Sequence, residues 1–171
     1  MSAASRVMAG QGDIRTWQED FYRELHQHPE LSHHENATAR KVAERLKQAG
    51  SQVHSGVGGT GVVGVLRNGD GPTVLLRADM DALPVRETTG LPYASTVTTT
   101  NADGDAVPVS HACGHDMHVA CLLGAAHLLA AGHRTLERPG RHAVPAGRGD
   151  RRRSVVARRN RSSGVRRTRS G

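Results

Sequence analysis

The sequence predicts an α/β fold, with residues 13–133 forming the N-terminal half of a three-layer domain in which helices cover a central sheet. Three observations predict it. Two stretches with helical apolar spacing precede a set of short apolar strands, an acidic cluster follows directly on one of those strands, and the composition breaks abruptly after His133. The chain of 171 residues suits one domain with a tail rather than two full domains. Residues 1–12 read as a flexible N-terminus and 134–171 as a separate tail.

From Asp13 to His28, the residues Ile14, Trp17, Phe21 and Leu25 recur every three or four positions, the spacing of one helix face. Pro29 disfavours helical geometry at His28 and ends the segment. Ser32 with Glu35 three positions on reads as a capping box. Ala37, Val42, Ala43 and Leu46 then trace a second helix, closed by Gly50. Strands are expected over Gln52–His54, Gly61–Arg67 and Thr73–Ala78, the last two joined by the turn Asn68-Gly69-Asp70-Gly71-Pro72. The consecutive apolar residues Val74-Leu75-Leu76 suit a strand buried on both faces. Residues 87–107 are rich in Thr, Gly, Asn and Asp without a period, which predicts a long loop holding one brief strand. A last helix from His115 to Ala131 presents Val119, Leu122, Leu123, Ala126 and Leu129, with Gly132 as its stop.

Charge is divided unevenly. Residues 1–133 carry 10 Lys and Arg against 14 Asp and Glu, whereas 134–171 carry 13 Arg and two acids. The high pI belongs to the tail, where one Leu, four Val and no aromatic residue offer too little apolar surface to offset ordering entropy, so disorder is expected. An Arg-rich tail can hold RNA through phosphate contacts, but no aromatic side chain is present for base stacking, and a nucleic-acid partner is not expected. No stretch approaches the roughly 20 apolar residues of a membrane span, and residues 1–17 lack a signal-peptide core; a cytoplasmic protein is expected. Cys113 and Cys121, about 12 Å apart along a helix, favour metal binding or burial over a disulfide.

The densest chemical cluster is His111-Ala112-Cys113-Gly114-His115-Asp116-Met117-His118, where a loop enters a helix. Imidazole and thiolate are the ligand set of zinc and related divalent metals, and Gly114 lets the backbone bend between Cys113 and His115. Solvated histidines and a small buried cysteine would explain the same letters. A second cluster, Ala78-Asp79-Met80-Asp81-Ala82-Leu83-Pro84, follows the predicted strand, where open α/β sheets place their sites. Asp81 there could accept from a ligand histidine and fix its tautomer, or both aspartates could cap a turn. His26, His28, His33 and His34 read as surface histidines, and Cys121 as helix core.

Together with His28-Pro29-Glu30-Leu31-Ser32, these two segments occur in the order and rough spacing seen in the M20 amidohydrolases. The chain from about Trp17 to His133 resembles the subgroup containing hippurate hydrolases, N-acyl-amino-acid deacylases and auxin-conjugate hydrolases. The resemblance implies a zinc-peptidase-like catalytic domain with two Zn or Mn ions, Cys113 and His115 as ligands and Asp81 in support. It gives no ligand role to Asp79, Asp116 or His118. It implies hydrolysis of the amide of N-acyl amino acids or related small amides, with a general base supplied by a Glu-Glu pair some 30 to 40 residues past the Cys-Gly-His segment. After His133 this chain has only Glu137, Asp150 and His142 as acids and histidine, none paired so. The base, further ligands and the family's dimerisation domain are thus expected to be missing and the chain inactive. The Arg-, Gly-, Pro- and Ser-rich composition reads as a frameshift near Ala131 to Leu136. A non-catalytic metal-binding module, or an RNA-binding module acting through the Arg-rich tail, is the alternative.

Overall fold

The structure, a computed structural model, describes residues 2–67, 72–101, 103–136 and 153–157; of Ala3, 133–136 and 153–157 it describes the backbone alone. The elements are α1 (Ala3–Met8), α2 (Gln11–Gln27), α3 (Asn36–Gln48), β1 (Gln52–Val57), β2 (Gly61–Leu66), β3 (Leu75–Ala78), β4 (Thr98–Thr100), β5 (Ala106–Pro108), α4 (His115–Leu136) and β6 (Arg153–Ala157). One mixed sheet runs in the order β1-β2-β6-β3, with β1 and β6 antiparallel to β2 and β3 parallel to β6; β4 and β5 form a separate hairpin.

The predicted helix faces assemble a single core. Phe21 and Leu25 of α2, Val42 and Leu46 of α3, Val62 of β2, Ala78 and Met80 beside β3, and Val119, Leu122, Leu123 and Ala126 of α4 pack together. Helix α3 lies on β1 and β2, and α4 on β3 and β6. Leu46 sits so close to Gly64 that a Cβ built there would meet its side chain at 3.1 Å, which is why a glycine occupies the middle of β2.

Helix α2 ends as its sequence predicts, at His28 before Pro29, with the His28 N–H on the Leu25 carbonyl. Helix α3 ends as predicted too. Gly50 takes φ +89°, its N–H bonds Lys47 O, and Ser51 N bonds Leu46 O, the paired bonds of a Schellman turn. Its start differs from the expected capping box. Glu35 makes no capping bond, and instead the Glu30 carboxylate, reaching across the turn, accepts from Ala37 N at 3.0 Å and Thr38 N at 2.7 Å. Glu35 is fully buried and accepts from Thr60 Oγ1 at 2.7 Å.

Several expectations are corrected. Part of the expected flexible N-terminus is helix α1, packed on α4 with Val7 against Gly132. Helix α4 passes through Gly132 to Leu136, because that glycine serves close helix contact rather than termination. Leu129 is exposed, and Ala130 takes the core position. The expected strand 73–78 is not buried on both faces: Val74 is 53% and Leu75 62% exposed. The stretch 98–108 holds two short strands, closed by Asn101, whose Oδ1 accepts from Asp103 N and Asp105 N.

The tail expected to be disordered contributes a strand, β6, between β2 and β3, so these two are not hairpin neighbours. Residues 68–71, which carry most of the predicted turn, and 137–152 and 158–171 of the tail lie outside the described residues. Among the described residues, no helix is long and apolar enough to cross a membrane.

Candidate functional site

Main-chain bonds bring the three sequence clusters together. Leu31 pairs with Ala82 in a parallel bridge, with Ala82 N donating to Glu30 O at 2.8 Å. Leu83 and Ser110 exchange both their backbone bonds at 3.0 Å in an antiparallel bridge. The segment 81–84, leaving the C-terminal end of β3, is thus held between residues 28–32 on one side and the loop entering α4 on the other.

That loop turns sharply at Gly114, whose φ of +71° is the left-handed geometry that favours glycine, and α4 begins at His115. His115 Nδ1 lies 2.9 Å from the Asp81 carbonyl and 3.0 Å from Asp81 Oδ1. Both are acceptors, so Nδ1 carries the proton and Nε2 is left with its lone pair, the tautomer a metal-ligating histidine needs. Asp81 itself is buried. Cys113 is exposed at the turn before the helix, and His118, one turn along α4, sets its ring 5.8 Å from that of His115. The donor types suit a divalent metal, and the His115 tautomer fits one. Among the described residues no group of three or more His, Cys, Asp and Glu side chains is arranged to hold a metal ion, so Cys113 and His115 fit as part of a ligand set only. Asp79 contacts Arg77. Cys121, expected in the helix core, is exposed on α4.

Beside this turn lies a network that spacing did not reveal. His26 was expected at the surface with His28, His33 and His34; the other three are exposed, but His26 is 9% exposed and held at both ring nitrogens. Nδ1 donates to Asp116 Oδ2 at 2.6 Å and Nε2 to Glu87 Oε1 at 3.0 Å. Burial alone would lower the His26 pKa, but hydrogen bonds to Glu87 and Asp116 outweigh it and raise it. Burial alone would raise Glu87, yet bonds from Thr89, His26 and Ser95 N prevail and hold it at about 2. Asp116, 1% exposed, also accepts from Met117 N at 2.8 Å. Tyr22 and Tyr93 set their rings against His26.

His26, Arg86, Glu87, Ser110, His111 and Ala112 line a cavity of about 210 Å³ next to Cys113. His111 is buried with neither ring nitrogen hydrogen-bonded, and burial lowers its pKa and keeps it neutral. His26 and Glu87 were invisible to sequence spacing because their partners stand 90 and 61 positions apart. The one local signal for His26 was its place beside Leu25, one turn past Tyr22, on the flank of the core face.

The site is thus a carboxylate-oriented histidine and an exposed cysteine at a helix start, beside the end of a strand in a helix-on-sheet α/β domain. Residues 75–144 match the family described as Peptidase family M20/M25/M40. The chain is 49% identical over 119 residues to thermostable carboxypeptidase 2 of Saccharolobus solfataricus, covering 68% of this chain and 28% of that protein. It is 44% identical over 132 residues to hippurate hydrolase of Campylobacter jejuni, covering 77% and 31%. The crystal structure of the Bacillus subtilis YXEP protein, described as a dinuclear metal binding peptidase from the M20 family, superposes with a TM-score of 0.64 at 32% identity, over 85% of this chain and 34% of that one. By these matches the chain is similar to part of the proteins of the M20 peptidase family. It spans about a third of the length of the relatives it matches.

Proposed function

We propose that this chain is the N-terminal portion of a cytoplasmic two-metal amidohydrolase that cleaves the amide of N-acyl amino acids or related small amides. Cys113 and His115 are metal ligands and Asp81 supports His115. The observation that carries this reading is the bond of His115 Nδ1 to Asp81, at the start of the helix that the exposed Cys113 precedes by two residues. Zn or Mn bound there would polarise an amide carbonyl and lower the pKa of a water. The protein's own part is orientation. Asp81 holds the imidazole at Nδ1, and Gly114 sets Cys113 and His115 on either side of one turn.

The relatives' names support the substrate class: one is a hippurate hydrolase and another an N-acetyl-L-cysteine deacetylase. A general base and further ligands would have to come from beyond the matched third, since no adjacent pair of glutamates follows His133. This 171-residue chain by itself therefore binds metal without turning substrate over. We further propose that a frameshift near Ala131 to Leu136 produced the arginine-rich composition that follows.

The test is elemental analysis of the purified chain beside the double variant Cys113→Ser, His115→Ala, with assays on hippurate and N-acetyl-L-cysteine. Metal present in the parent, lost in the variant, with no hydrolysis by either is the expected result. Metal that survives the double substitution, or is absent from the parent, sinks the reading.

A further inference from the structure

Asp81 accounts for how His115 is oriented within the site, but not for how the start of α4 is held against the rest of the molecule. A second side-chain network that reaches it from outside is the one centred on His26. Asp116, the second residue of α4, is fixed by His26 Nδ1 at 2.6 Å; His26 belongs to α2, and its Nε2 donates to Glu87 in the loop after β3. Glu87 is in turn anchored by Thr89 Oγ1 at 2.5 Å and by Ser95 N at 2.6 Å. Donating to two carboxylates requires both ring nitrogens of His26 to be protonated, so one imidazolium joins two anions, with side chains 11%, 5% and 2% exposed for His26, Glu87 and Asp116.

We infer that His26 is a positioning residue for the metal centre, clamping the first turn of α4 to α2 and to the loop 87–95 through Asp116 and Glu87. The inference rests on the amidohydrolase reading above. Neither His26 nor Glu87 touches the metal. They hold the helix turn whose first residue, His115, must keep its Nε2 aimed while Asp81 holds Nδ1. A clamp of this kind raises affinity by removing the freedom a ligand would otherwise lose on binding, as supporting partners around metal sites do.

The experiment measures Zn²⁺ affinity of the full chain by competition with a chromophoric chelator, for the parent, Glu87→Gln, His26→Phe and His26→Gln. Glu87→Gln and His26→Phe are expected to bind Zn²⁺ about 10- to 100-fold more weakly. His26→Gln, whose amide N–H can still reach Asp116, is expected to recover affinity over the Phe variant at equal thermal stability, a rescue that a merely space-filling role would not give. If His26→Phe fails to fold, Glu87→Gln decides alone, because Gln keeps the size of the side chain. Folded variants with the parent's affinity, or Gln no better than Phe, overturn the clamp while leaving the amidohydrolase reading intact. A parent that binds no Zn²⁺ overturns both.

Discussion

Replacing Glu87 by Gln removes a charge from a side chain that is only 5% exposed and hydrogen-bonded by Thr89, His26 and Ser95 N. The carboxyl is lowered from 4.5 to about 2 in the folded chain, so its ionised form is favoured by folding. A depressed folded pKa contributes stability above the unfolded value and loses it as pH falls through the folded one. The contribution is about 3 kcal/mol at pH 6 and about half of that at pH 3. His26 acts in the opposite sense. Its pKa is raised from 6.5, so its contribution is complete below 6.5 and is lost as pH climbs through the raised value. The clamp is therefore strongest between pH 4.5 and 6.5. Urea unfolding of the parent and Glu87→Gln at pH 6 and pH 3 measures the gap between them, expected to shrink by about half on acidification. A gap that is the same at both pH values, or absent at pH 6, refutes the assignment of a buried, charge-paired carboxylate.

Leu46→Ala removes a fully buried side chain wedged between α3 and Gly64, and a loss of about 2–5 kcal/mol is expected from the shift in urea midpoint. Glu30→Ala strips the α3 N-terminus of the acceptor for Ala37 N and Thr38 N, at a cost of about 1 kcal/mol read by the same assay. Gly114→Ala forces a Cβ into φ +71° with open space around it, so strain of about 1–2 kcal/mol with no clash is expected, together with weaker metal binding by chelator competition.

Helices and strands on the covered side of the sheet were legible because their periodicity reports one apolar face: Phe21, Leu25, Val42, Leu46, Val119 and Leu123 all reach the core from spacing alone. The exposed face of β3 misled, because Val74-Leu75-Leu76 has the apolar run of a strand covered on both sides, and periodicity says nothing about whether the cover is present. The tail misled in the other direction. Its composition argued against order, yet main-chain pairing inserts β6 between β2 and β3, a contribution hydrophobicity does not record. At the site, the clusters left Asp81 as either an acceptor for a histidine or a turn cap, and the partner the structure gives it is His115. The His26 network was not legible, because a histidine on the flank of an amphipathic face looks the same whether it meets water or two carboxylates.

The bridges that join residues 30–31, 82–83 and 110 are made of peptide groups, not side chains. Their amide protons consequently serve as a clock for the site. Exchange with deuterium at Ala82, Leu83 and Ser110 can occur only when those segments part. Its rate reports how often the three come apart, without any need of a substrate or a reaction to follow.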